Sequence, residues 1–281
     1  MYPSRARLRV PAASERRPVS TTFAEASSCE RLAHDRWRAY VDESWLQGRA
    51  VFGGMQSAIA LRCLRALVPE VRTARTLNVH FCGPCAPGQV DVEARVAREG
   101  RRVSCVVGRL SQGGESVAEV TATFGEDREH WLALEGPPSP ALAPPSPTDF
   151  SSDPGIPQFS RHFEMDLQVG RPYTGAQEAR VAGWVRFRRP TAMDEALLAA
   201  LADCWPPAAV AMMPAPRPAA SVDLSIQLHR PGRVRREDPS GFFAFQAISS
   251  AACGGYAEEL GGLWLPGGQF VGRIRQLRAI Y

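Results

Sequence analysis

The chain has 281 residues, with 33 cationic and 29 acidic side chains and a formal net charge of +4. None of the cations is lysine, which excludes a Schiff-base lysine, a Walker-A Gly-Lys-Ser/Thr loop and a Ser-x-x-Lys pair. The arginines are interleaved with acids rather than striped, so nucleic acid is not an expected partner. A hydrophobic content of 44% supports a core and argues against disorder.

No apolar run approaches the ~18 residues of a membrane span, so no membrane partner is expected. Residues 1–20 are Arg-rich, contain Glu15 and lack an apolar h-region, and are expected to be a disordered extension rather than a signal peptide. Seven cysteines at irregular spacing point to reduced thiols and a cytoplasmic location. The histidines (34, 80, 130, 162 and 229) show no metal-ligand spacing, and neither a metal nor a cofactor is expected.

In chain order, Gly53-Gly54 opens a helical pattern through Met55, Ala58, Ile59, Leu61, Leu64 and Leu67 that is apolar nearly all round and therefore predicts a buried helix. Strand-like runs follow at Thr76–Phe81, Gln89–Arg95, Arg102–Leu110 and Ser116–Phe124, separated by Gly and Pro turns. Residues 136–157 hold eight of the 24 prolines and read as a semi-rigid linker. Beyond it, Thr191 with Asp194 resembles a capping box for a helix through Leu197, Leu198 and Leu201, stopped by Pro206-Pro207. Four more strand-like runs follow: Ser221–Leu228, Phe242–Ser249, Tyr256–Leu265 and Gln269–Ile280.

The halves align with each other. Leu77–Pro84 lies over Leu224–Pro231 at an offset of 147, and Gly113-Gly114 over Gly267-Gly268 at an offset of 154. The difference falls in the polar turn from Gly232 to Gly241, where insertions are tolerated. The expectation is an α+β tandem, or double, hotdog: two antiparallel sheets, each wrapped around a central helix, able to meet edge to edge. Its domains would span 21–131 and 158–281, joined by a linker at 132–157.

Five elements carry a family resemblance: Val51-Phe52-Gly53-Gly54, Val79-His80-Phe81 with Pro84, Gly183-Trp184-Val185-Arg186, Ser221-Val222-Asp223-Leu224 with His229-Arg230-Pro231, and Arg275-Gln276-Leu277. Over roughly residues 21–281 the chain resembles the acyl-CoA thioesterase II group of double-hotdog proteins. That resemblance implies thioester hydrolysis by a trio of Asp, hydroxyl and Gln on strands of the second hotdog. Carried over, the trio is Asp223, Ser250 and Gln276. The internal alignment sets Thr76, Val96 and Ala122 against these three, so one active site per chain is expected. Leu224 and Gln227 depart from the His and the aromatic common in that group.

Such hydrolysis needs a held water, a base and oxyanion donors. Asp223 would accept a proton from the water or hold it in line, while Gln276 and Ser250 would fix the same water or polarise the carbonyl. The backbone N–H groups of Gly54 and Met55, at the positive end of the first helix, would receive the thioester oxygen. Arg230, Arg233, Arg235 and Arg236 are candidates for the phosphates of CoA. Cys82-Gly83-Pro84-Cys85 lacks the following helix of a redox motif and reads as a strand-to-strand turn.

Two alternatives stay open: an enzyme acting on acyl carrier protein in a secondary-metabolite pathway, and a non-catalytic acyl-CoA binder. A homo-oligomer through sheet packing is also possible.

Overall fold

A computed structural model describes residues 21–129, 131–147 and 156–281, so the expected extension at 1–20 lies outside the described residues. The first half runs α1 (Phe23–Ala26), β1 (Glu30–Ala33), β2 (Arg36–Val41), the short hairpin β3 (Leu46–Gln47) and β4 (Ala50–Val51), then α2 (Gly53–Arg65). It continues through β5 (Thr73–Phe81), β6 (Gly88–Glu99), β7 (Val103–Gln112) and β8 (Glu115–Gly125). The second half runs β9 (Phe163–Val169), β10 (Arg180–Phe187), α3 (Glu195–Asp203) and β11 (Ala219–Leu228). It closes with β12 (Phe243–Ile248), β13 (Ala252–Cys253), β14 (Tyr256–Trp264) and β15 (Phe270–Ile280). All eight strand-like runs are strands, with ends shifted by a few residues.

The sheets do not remain separate. Among the described residues the long strands form one antiparallel sheet in the order β1-β2-β6-β7-β8-β5-β11-β15-β14-β12-β10-β9, with β13 on β14. The halves join where β5 pairs with β11. There Asn78 faces Ser225, Leu77 faces Ile226 and Val79 faces Leu224. Under the 147-residue offset Asn78 is therefore paired with its own equivalent, which is the register of a local twofold axis. On that axis the Ser225 hydroxyl donates to Asn78 Oδ1 at 2.7 Å. The pairing also removes one exposed edge from each half.

Both helices are buried because neither has a polar face. In α2 every residue from Gly53 to Leu61 is buried, and in α3 every residue is. They pack on one sheet face and on each other, with α2 over β5, β6, β7 and β8 and α3 over β11. Their approach is close. A Cβ on Gly54 would stand 2.9 Å from the Ala200 carbonyl oxygen and only 2.2 Å from the Phe52 ring. The start of α3 differs from expectation: Asp194 itself is the N-cap, accepting from the Leu197 N–H at 2.9 Å, and the Thr191 hydroxyl is buried without a partner. Asp194 directly precedes the first helical residue, Glu195, and also pairs with Arg62 of α2 at 3.0 Å. Glu195 then accepts from the Ala74 N–H of β5 at 3.3 Å, tying the second helix to the first half.

The Pro-rich stretch is anchored as far as it is described. Trp264 and Trp184 donate their indole N–H groups to the carbonyls of Pro137 (2.9 Å) and Ala143 (2.8 Å). Gln168 bonds Ala143 in both directions. Proline has no N–H but keeps its carbonyl, so such a segment can be strapped down through acceptors alone. No helix of the described residues is long and apolar enough to cross a membrane.

A second seam joins the halves at His162, whose ring stacks on Trp45 at 3.6 Å and bonds the Ser44 hydroxyl at 2.9 Å. Burial pushes its pKa down to about 4. The unfolded imidazole, near 6.5, therefore takes a proton before the native one does. This contribution is intact above pH 6.5 and is lost as pH falls towards 4. Urea midpoints measured across that window are expected to drop less for His162→Gln than for the unaltered chain.

Candidate active site

The alternation of β15 builds the site. Ile274, Gln276 and Arg278 are buried on the face that carries the helices, while Arg273 and Arg275 are exposed. Gln276 Nε2 donates to Asp203 Oδ1 at 2.6 Å. Asp203 is the last residue of α3 and is 3% exposed. Arg278 Nη1 donates to the Ser221 hydroxyl at 2.7 Å and lies 3.4 Å from Asp203 Oδ1. Its Nη2 is 3.3 Å from Glu259 Oε1. Glu259 stands directly across from Gln276 on β14, is 1% exposed, and accepts from the Ala208 N–H at 2.6 Å.

Buried polar groups are normally fully paired. Here Asp203 Oδ2, Gln276 Oε1 and Arg278 Nε have no hydrogen-bond partner. Two acceptors and one donor are the complement of a water molecule or of a polarised substrate group. The first turn of α2 closes the site: a Cβ on Gly53 would stand 2.6 Å from Asp203 Oδ2. Burial pushes the Asp203 carboxyl above the usual range. The Arg278 guanidinium, the Gln276 bond and the nearby Gly54 N–H oppose that rise, and Glu259 adds to it.

Of the expected trio, Gln276 lies in this cluster and the other two lie elsewhere. A β-bulge between Ser221 and Asp223 separates them from each other's face. Ser221 turns inward to Arg278, whereas Asp223 accepts from the Leu277 N–H at 2.9 Å and lines a cleft on the opposite sheet face with Asn78, His80, Thr121 and Ser225. Ser250 is exposed and its hydroxyl bonds Glu258. Asp203 lies on a helix, whereas the resemblance placed the whole trio on strands. Its signal was there: one acid closing a helix with no polar face.

The expected oxyanion donors stand in the first turn of α2. The Met55 N–H already donates to the Phe52 carbonyl at 3.1 Å, and the Gly54 N–H lies against Asp203. The first turn of α2 thus supports the carboxylate. Arg230 pairs with Glu135 at 3.1 Å, and Arg233, Arg235 and Arg236 are exposed on a 3-10 turn, Pro231–Arg236, packed against β5 and α3. Cys82 and Cys85 are free thiols on the way to β6, and burial pushes Cys85 up to about 12.

Solved structures share the fold. A conserved protein of unknown function with a hot dog fold from Alicyclobacillus acidocaldarius superposes with a TM-score of 0.81 at 23% identity, over 94% of this chain and 99% of its own. A provisionally assigned thioesterase II from Thermobifida fusca YX gives 0.80 at 23% identity over the same shares. An acyl-CoA thioesterase II from Mycobacterium marinum gives 0.73 at 18% identity, over 92% and 98%. Comparison with curated proteins gives no match.

The chain is therefore a hotdog-fold protein. The acyl-CoA thioesterase C-terminal domain profile matches residues 137–280 and the N-terminal domain profile matches 41–125, so the chain belongs to the acyl-CoA thioesterase family and is a thioester hydrolase. The C-terminal match takes in the strapped Pro-rich segment from residue 137.

The helix contact yields a direct test. Gly54→Ala forces a methyl against the Phe52 ring and the Ala200 carbonyl. It is expected to destabilise the chain by about 1–3 kcal/mol, as overpacking does, read from urea unfolding, and to reduce thioester hydrolysis by displacing Asp203.

Proposed function

We propose that the chain is a double-hotdog acyl-CoA thioesterase that cleaves its substrate by direct attack of water, with Asp203 as the base. The observation that carries this reading is the buried Asp203–Gln276 pair, bonded at 2.6 Å with one unpartnered oxygen on each side chain. Water held between those oxygens attacks the thioester carbonyl carbon and gives its proton to Asp203. The tetrahedral intermediate then expels CoA as thiolate, which takes up the proton. The products are a carboxylic acid and free CoA. Burial raises the carboxyl of Asp203, which makes it a stronger base than a solvated aspartate.

Ser221 supplies the hydroxyl of the set and is reached through Arg278. Gln276 holds Asp203 and the water together. The exposed Arg233, Arg235 and Arg236 offer forked donors to the phosphates of CoA.

Thiol release from a panel of straight-chain acyl-CoA esters tests the base. Asp203→Asn is expected to lower kcat by about 10²-fold or more, the scale of a lost general base, while Asp223→Asn stays near the unaltered rate. The reverse ranking would return the role to Asp223. Binding of acyl-CoA with no turnover by the unaltered chain would leave a binder instead. Replacing Arg233, Arg235 and Arg236 together with Ser is expected to raise KM for acyl-CoA several-fold with kcat unchanged.

A further inference from the structure

Arg278 and Glu259 put two more buried ions beside Asp203, and neither contacts solvent to any useful degree: they are 3% and 1% exposed. Burying an ion is expensive by several kcal/mol, and an apolar pair of similar volume is often no less stable. Packing alone gives no reason for this arrangement. Its geometry is directional. One guanidinium nitrogen of Arg278 serves Asp203 and Ser221, and the other is held by Glu259, which is in turn held by the Ala208 N–H.

Resting on the reading of Asp203 as base, we propose that Arg278 is a positioning residue that keeps Asp203 ionised for proton abstraction, and that Glu259 anchors Arg278 while tempering its effect. The charge and dipole environment of Asp203 is defined on every side. Arg278 and the Gln276 amide face it from β15, Glu259 from β14 and the Gly54 N–H from α2, and Cys204 follows it in the chain. Burial opposes ionisation and so does Glu259. Arg278 is the cation that counters them. The Cys204 thiol is itself pushed up by burial, so it adds no charge at neutral pH.

The two ions therefore act on the acid with opposite sign. Removing the cation disfavours the carboxylate, and removing the second acid favours it.

The test is the pH dependence of kcat/KM in four variants of the full chain, assayed with the best acyl-CoA of the panel. In Arg278→Gln the acid limb is expected to move to higher pH, with a loss of about tenfold or more on the acid side, since one pKa unit is a tenfold change in the ionised fraction. In Glu259→Gln the limb is expected to move to lower pH. Arg278→Lys keeps the charge, so its limb stays in place while kcat falls from the lost fork to Ser221 and Glu259. Circular dichroism melts establish which variants fold. Should Arg278→Gln fail to fold, Glu259→Gln and Arg278→Lys decide the matter.

An unmoved limb in Glu259→Gln, or a limb displaced to higher pH in Arg278→Lys, overturns the proposal. The fourth variant, Asp203→Asn, separates the two levels. If it hydrolyses at the unaltered rate, the assignment of the base falls. If it is inactive and the limbs do not move, only the role of Arg278 and Glu259 falls.

Discussion

The pairing of β5 with β11 is the constraint on which the rest depends. It fuses two half-sheets into one surface and sets equivalent residues opposite each other at Asn78 and Ser225. Because the register is fixed there, both helices lie on the same face and must share it. They share it at the closest distance their side chains permit, and Gly54 against Ala200 sets that distance. The N-terminus of α2 and the C-terminus of α3 are thereby brought together. The two helix ends would otherwise be buried with unsatisfied groups. Asp203 at the end of one helix lies against Gly54 at the start of the other.

The charged cluster follows from this geometry. Four polar side chains, Asp203, Gln276, Arg278 and Glu259, occupy a place where the surrounding residues are apolar. Each is held by at least one named partner, yet three of their atoms remain unpaired. Unpaired buried polar atoms are unfavourable and occur singly elsewhere among the described residues, at Thr191 for one, but here three belong to side chains of one bonded cluster. Unpaired atoms on neighbouring side chains of α3 and β15, beside the first turn of α2, leave hydrogen bonds free for a bound group. Pre-placed charge of this kind acts strongly because the four side chains are buried away from bulk solvent.

Much of the fold was readable from periodicity. The helix beginning at Gly53-Gly54 and the eight strand runs were all legible, since a buried helix and a half-buried strand differ in their apolar period. β2, β9 and β10 were less legible. β2 mixes Arg36 and Arg38 with Trp37 and Ala39, and β9 reads Phe-Glu-Met-Asp-Leu-Gln-Val with nearly every residue half-buried. β9 pairs with its chain neighbour β10, whereas β2 and β10 also pair with the distant β6 and β12. Of the candidate site, Gln276 was legible as part of a family element and Asp203 was not.

What the sequence determined by itself was the repeated helix-and-sheet plan, the buried character of both helices and the family to which the chain belongs. Each of these is written in local patterns or ordered motifs. The tertiary structure decided which acid stands beside Gln276. Asp223 and Ser221 are two residues apart on one strand, and simple alternation would put both on the same face. A single bulge sends Ser221 inward to Arg278 and leaves Asp223 on the other side of the sheet. Asp203, 73 residues from Gln276, reaches it only because α3 packs beside α2 and over β11 on the same sheet face. Whether a side chain faces the site depends on register and packing across the whole sheet, and those are long-range quantities.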